Sequence, residues 1–196
     1  MDESHMEEQM KQFVENARAV EELTKKGPYK RPNRDWLETY FSFCMRKKMA
    51  SGQKIEMKQN KNQVASHSSQ VTTKRHSSKK NLKDLKPILL REMKVNQIHY
   101  GKYLECMISE DPMVITALQT IVTDKENSQL ELLSIYNFDP DLNGSTEEDL
   151  IEFFQKGTKI IIKEPHLKIY GTEKLSFTLR VDSPTDIIFV ENNINR

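Results

Sequence analysis

The chain has 196 residues, of which 36% are hydrophobic and 30% are charged, so part of it is expected to stay outside a hydrophobic core. The net charge of +1 conceals a segregation into −3 over residues 1–29, +10 over 30–80 and −6 over 81–196. With two distant cysteines, Cys44 and Cys106, and no apolar run of ~18 residues, this composition argues against a disulfide framework, a membrane span or a secreted protein, and favours the cytoplasm or nucleus.

Two amphipathic helices are predicted within residues 1–50. The first begins at a capping box formed by Ser4 and Glu7, and the second covers about 34–49. Either these helices pack on each other or on the rest of the domain, or they offer a hydrophobic face to a partner protein. The residues of this candidate partner-binding face are Phe13, Val14, Trp36 and Phe41.

Residues 51–81 are rich in Ser, Gln, Asn, Thr and Lys and show no hydrophobic periodicity, which predicts a basic, disordered linker. A basic cluster near its end is a candidate contact for nucleic acid or for a nuclear-import receptor, and Ser78 is a candidate kinase target. The alternative is that these charges only keep the linker solvated. The basic residues of the cluster are Lys74, Arg75, Lys79 and Lys80.

Residues 82–196 change to alternating hydrophobicity and predict a small OB-like β-barrel, so the expected fold class is α+β. Three strands are predicted before a short helix at about 145–154 and at least two strands after it, which is the order of an OB-fold. SH3-like barrels and small sandwiches are the alternatives. The strands are expected within 98–108, 114–124, 130–136, 158–163, 167–181 and 187–190.

An OB-like barrel suggests single-stranded nucleic-acid binding, in which Tyr100 and Tyr103 would stack on bases. The net charge of −6 over 81–196 argues against it, because phosphate binding needs a basic groove, and aromatic residues in strands more often belong to a core. The sequence contains no phosphate-binding glycine loop, nucleophile elbow or zinc-protease motif. No catalytic residue, metal site, cofactor or small-molecule substrate is therefore predicted.

Residues Leu85 to Val190 resemble the region ahead of the helical repeats in tetratricopeptide-repeat proteins that carry a SET domain. The similarity rests on spaced blocks, namely LKPILL, GKYLECMISEDPMVITALQTIVTD, LELLSIYNF, KGTKIIIKEPHLK and LRVDSPTDIIFV. In that family the segment looks like a non-catalytic N-terminal module, and the SET domain is associated with protein lysine methylation. Because neither repeats nor a SET domain occur within these 196 residues, the resemblance implies no methyltransferase activity for any residue here.

We therefore expect a non-enzymatic protein-interaction or scaffold module with an unidentified protein partner. A single-stranded nucleic-acid-binding protein is the first alternative. A truncated member of the protein-lysine methyltransferase family, without its catalytic domain, is the second. The expected domains are a two-helix segment at 1–50, the linker at 51–81 and the barrel at 82–196.

Overall fold

The structure is a computed structural model, and it is mostly β with one long helix in the part that it describes. Near the N-terminus the structure describes residues 8, 11, 14, 15, 18 and 22, and all six are helical. Phe13 and the other residues between them lie outside the described residues. The continuous ranges described are 29–30, 36–59, 76–114, 117–126, 129–137, 151–170 and 176–190.

Helix α1 spans Trp36–Gln59 and continues ten residues beyond the predicted end at Met49, into the segment predicted as linker. This extension contains Lys, Gln, Glu and Met, which all favour helix. The strands are β1 Tyr29–Lys30, β2 Lys86–Pro87, β3 Lys94–Val95, β4 Gln97–Ile98, β5 Lys102–Ile108, β6 Met113–Val114, β7 Leu118–Asp124, β8 Leu130–Ile135, β9 Lys159–Lys163, β10 His166–Tyr170, β11 Ser176–Val181 and β12 Ile187–Phe189. In the described ranges, three 3-10 helices occupy Leu82–Asp84, Leu90–Glu92 and Pro184–Asp186.

Ten of the described strands form one mixed sheet in the order β12-β9-β5-β7-β8-β11-β10-β4, with β2 beside β5 and β6 beside β7. The pairs β8–β11 and β2–β5 are parallel, and the other pairs are antiparallel. Strands β1 and β3 form a separate two-stranded sheet.

The prediction of a closed OB-like barrel behind two helices is wrong. The hydrogen-bonded order has two ends, β12 and β4, so the sheet is open, and the described chain contains one long helix. Alternating hydrophobicity locates the long strands, but it does not specify which distant strands pair. The two-residue strands β2, β4 and β6 are also too short for any alternation to show.

The open sheet is nevertheless curled. Strands β11 and β12 lie five strand spacings apart in the order, which in a flat sheet would be about 24 Å. They are joined only by Asp182–Asp186, which contains a 3-10 helix, and even a fully extended link of this length spans at most about 20 Å. The sheet therefore bends, and its concave side encloses the main hydrophobic core.

Strand β7 is buried along its whole length because it separates two hydrophobic clusters. Leu118 and Val122 belong to the main core, which also takes side chains from β5, β8, β9, β10, β11 and β12. Ile121 points to the opposite face, where Phe43 of α1 packs with it. Helix α1 thus covers the outer side of the sheet through a small second cluster, whose other members are Met113, Leu132, Tyr40 and Leu130.

Candidate functional site

The predicted site residues fall into different parts of the molecule. Phe13, Lys74 and Arg75 lie outside the described residues, and so does the side chain of Trp36. Val14 and Phe41 are exposed and lie far along the chain from the predicted basic cluster. The structure does bring together one residue of each of the other two predicted groups, because Lys80 lies next to Gly101 in the turn that carries the exposed Tyr100. Tyr103 lies in β5 and is half-buried, so it is a poor candidate for stacking.

Residues 76–80, which we call the strap, lie against the sheet and are held there by acidic side chains. The backbone N–H of His76 donates to Asp182 Oδ2 at 3.2 Å. The backbone N–H of Ser78 donates to both carboxylate oxygens of Asp186, at 3.0 and 3.1 Å. Ser78 is buried, so it is a poor kinase target while the strap is docked.

Asp186 is the central anchor of the strap. It ends the 3-10 helix before β12 and is 2% exposed. Lys163 of β9 links both sides of this contact, because its Nζ lies 3.6 Å from Asp186 Oδ1 and donates to the Ser78 carbonyl at 3.3 Å. The pKa of Asp186 is raised overall. Burial, which disfavours the charged carboxylate, outweighs the Ser78 N–H, Lys163 and His76, which favour it.

Glu164 fixes the turn before β5. Its backbone has a φ of +44°, and its buried carboxylate accepts the Gly101 N–H at 3.0 Å. The same carboxylate pairs with Lys80 at 3.9 Å and faces His76 Nε2 at 3.6 Å. Gly101 has a φ of +71°, which glycine adopts without strain. The strap and this turn are therefore tied to one carboxylate.

That turn presents Tyr100, which is 67% exposed, beside several lysines. The His76 ring meets the Tyr100 ring edge-on at 5.6 Å. Lys80 Nζ lies next to Gly101, and the Lys86 N–H donates to the Gly101 carbonyl at 2.9 Å. Lys86 also pairs in register with Lys102 across β2 and β5. We call this surface the basic–aromatic patch, defined as Tyr100, Lys79, Lys80, Lys83, Lys86 and Lys102.

A pair of uncharged histidines lies behind the patch, around Pro165. His99 Nε2 accepts the Lys94 N–H at 2.9 Å, so Nδ1 carries the proton and donates to the Pro165 carbonyl at 2.9 Å. Burial lowers the pKa of His99. Burial, with Lys168 and Arg180 nearby, lowers the pKa of His166 to about 4. Both rings are neutral at physiological pH.

Helix α1 carries a second candidate surface on the side that faces away from the sheet. Four large hydrophobic side chains, spaced four residues apart, are 46–64% exposed. Tyr40 of the same helix packs against the sheet, whereas Leu37 stays exposed. The exposed side chains are Leu37, Phe41, Met45 and Met49.

The sequence analysis did not identify the anchors Glu164, Asp182 and Asp186. The segregation of charge is a signal that could have indicated them. A segment of charge +10 precedes one of charge −6, and an aspartate that is buried in the second segment needs a hydrogen-bond donor or a cation, which the first segment can supply. Within the ranges that the structure describes, no group of three or more His, Cys, Asp or Glu side chains is placed to hold a metal ion.

No protein-family profile matches the chain. A protein of Gibberella zeae named "Methyltransferase" is 29% identical to it over 116 residues. The match covers 58% of this chain and 15% of that protein, so this chain spans a small part of its relative. No helix in the described part of the chain is long and apolar enough to cross a membrane. The chain is therefore similar to a small part of a protein that is named a methyltransferase.

Proposed function

We propose that this chain is a non-catalytic accessory domain related to a segment of a methyltransferase. The observation that carries the proposal is the partial match, which covers 58% of this chain and 15% of the related protein. The match, at 116 residues, is longer than the 75 residues before the strap, so it includes part of the sheet. A segment of this size, with its own hydrophobic core, is suited to accompany a catalytic domain.

The chemistry of the buried groups supports a structural use for each of them. Burial raises the pKa of the Cys106 thiol far above its usual range, so this cysteine is an inert core residue. Both ring nitrogens of His99 are used in backbone hydrogen bonds. Asp186 is occupied by the strap. These three groups hold the chain together and are not poised to act on a substrate.

The resemblance of Leu85–Val190 to the region ahead of the repeats in SET-domain proteins predicts the same accessory position. A protein-interaction role remains a prediction, and the exposed α1 residues are the surface on which it would rest. In such a role Phe41 would fill a pocket on the partner.

The proposal is tested with the methyl donor itself. S-adenosylmethionine is titrated into the purified chain by isothermal titration calorimetry, and transfer of a radiolabelled methyl group to core histones is measured in parallel. We expect neither saturable heat nor incorporated label, whereas an active SET-domain enzyme, run as the control, should give both. Saturable binding of the donor to this chain would overturn the accessory-domain proposal.

A further inference from the structure

We propose that the basic–aromatic patch binds single-stranded nucleic acid, with Tyr100 stacking on one base and the surrounding lysines contacting phosphates. This binding is independent of any relation to methyl transfer. The proposal rests on an exposed aromatic ring whose turn has Lys80 next to Gly101 and carries Lys102, which is in register with Lys86 across β2 and β5. Lys79 and Lys83 are exposed and are sequence neighbours of Lys80 and Lys86.

The ring of Tyr100 is held ready for stacking. It is 67% exposed, although the turn that carries it is fixed from below by the Gly101–Glu164 hydrogen bond. The edge-on His76 ring supports it from one side. A fixed, exposed ring loses little conformational entropy when a base stacks on it, and stacking suits any unpaired base.

The lysines create a local positive field that the composition of 81–196 as a whole does not show. Lys86 and Lys102 are in register on the parallel strands β2 and β5, so an anion bound between them would reduce the repulsion between their charges. Lys79, Lys83 and Lys86 are exposed, and Lys80 is 52% exposed. A phosphate backbone is the anion that offers several charges at the spacing of such a surface.

The acidic residues nearby offset only part of this field. Asp84 is exposed between Lys83 and Lys86 and opposes one of the five lysine charges. Glu164, Asp182 and Asp186 are each less than 9% exposed, and each is paired with a basic side chain or a backbone N–H of the strap. They lie beneath the strap and hold Lys79 and Lys80 at the surface. The anchors therefore preform the patch instead of repelling its ligand.

The exposed ring favours a single strand over a duplex, because the bases of a duplex are already stacked and their faces are inaccessible. The affinity for a single-stranded nucleic acid should therefore depend on Tyr100, whereas the affinity for a polyanion that is bound only through its charges should not. The lysines alone would bind a duplex equally well.

The test is fluorescence anisotropy of the full chain with fluorescein-labelled 20-mers of oligo(dT) and oligo(U), and with a 20-base-pair duplex, across a range of salt concentrations. The variants are Tyr100→Ala and the pair Lys79→Gln/Lys80→Gln. The matched control is the pair Lys48→Gln/Lys159→Gln, which removes the same charge from exposed positions outside the patch. Circular dichroism verifies that every variant is folded.

We expect Tyr100→Ala to weaken single-strand binding about tenfold without changing the salt dependence. The Lys79→Gln/Lys80→Gln pair should reduce the slope of log K against log salt by about 1.4, because two phosphate contacts are lost. The control pair should leave both unchanged. The proposal fails if no single strand binds at low salt, if Tyr100→Ala binds as well as the native chain, or if the control pair weakens binding as much as the patch pair.

Discussion

Helix α1 and the strap both lie against the sheet from outside, but opposite kinds of chemistry hold them. Phe43 of α1 is fully buried in an apolar cluster with Ile121. The strap buries backbone N–H groups on the carboxylates of Asp182 and Asp186. The helix contact therefore depends on side-chain volume, whereas the strap contact depends on charge and should respond to pH and salt.

The largest effect is expected from removing the helix contact. Phe43→Ala leaves a cavity between α1 and β7, and a buried Phe→Ala change costs about 4 kcal/mol. Urea denaturation, followed by circular dichroism, should therefore show a midpoint far below that of the native chain.

The matched control lies two residues away on the same helix. Phe41 is 64% exposed, so Phe41→Ala should change the free energy of unfolding by less than about 0.5 kcal/mol. Equal destabilisation by the two variants would mean that the outer face of α1 is also packed, and the comparison between helix and strap would break down.

Acid should act on the strap side of the sheet. Burial holds the pKa of His166 at about 4, below the ~6.5 of an unfolded chain, so folding keeps this ring neutral. As pH falls from about 6.5 towards 4, the unfolded chain takes up the proton first, and the folded state loses up to about 3 kcal/mol. Urea midpoints measured at pH 7.5, 6 and 5 should decrease in that order.

His166→Gln isolates this effect, because glutamine does not titrate. Its stability should fall less steeply between pH 7.5 and 5 than that of the native chain. His99, whose pKa is lowered in the same direction, should still contribute to the fall, and Asp186, whose pKa is raised, should oppose it. Parallel curves for the two proteins would show that His166 does not carry the acid sensitivity.

Local sequence pattern located the long strands well. The predicted segment 130–136 became β8 Leu130–Ile135, and 158–163 became β9 Lys159–Lys163. It did not predict the open edges of the sheet, since the parallel pairing of β8 with β11 joins residues more than 40 positions apart. Such pairings depend on the packing of the whole core, and the hydrophobic periodicity of a single segment does not predict them.

The candidate site was predicted in pieces. Lys80 and Tyr100 were each selected as a nucleic-acid contact, the first from a basic run and the second from an aromatic residue near a strand. Their proximity depends on Glu164, which binds the backbone of Gly101 and pairs with Lys80 from a point more than 60 residues along the chain. A single acidic residue after a strand carries no pattern of its own, so this link could come only from the structure.

The smallest expected effect is a loosening of the strap by Asp186→Asn. The amide keeps one acceptor for the Ser78 N–H but loses the charge that faces Lys163. Because burial raises the pKa of Asp186, the charged form is already costly, and the loss should be about 1–2 kcal/mol rather than the 3–5 kcal/mol of a broken buried pair.

Amide hydrogen exchange of Ser78, measured by NMR, checks this prediction. Its protection should fall in Asp186→Asn while that of core strand β7 is kept, because the strap opens separately from the sheet. Asp84→Asn, at an exposed position, is the control and should change neither. Unchanged protection of Ser78 in Asp186→Asn would mean that the strap is held by packing, as α1 is, and the contrast between volume and charge would not hold.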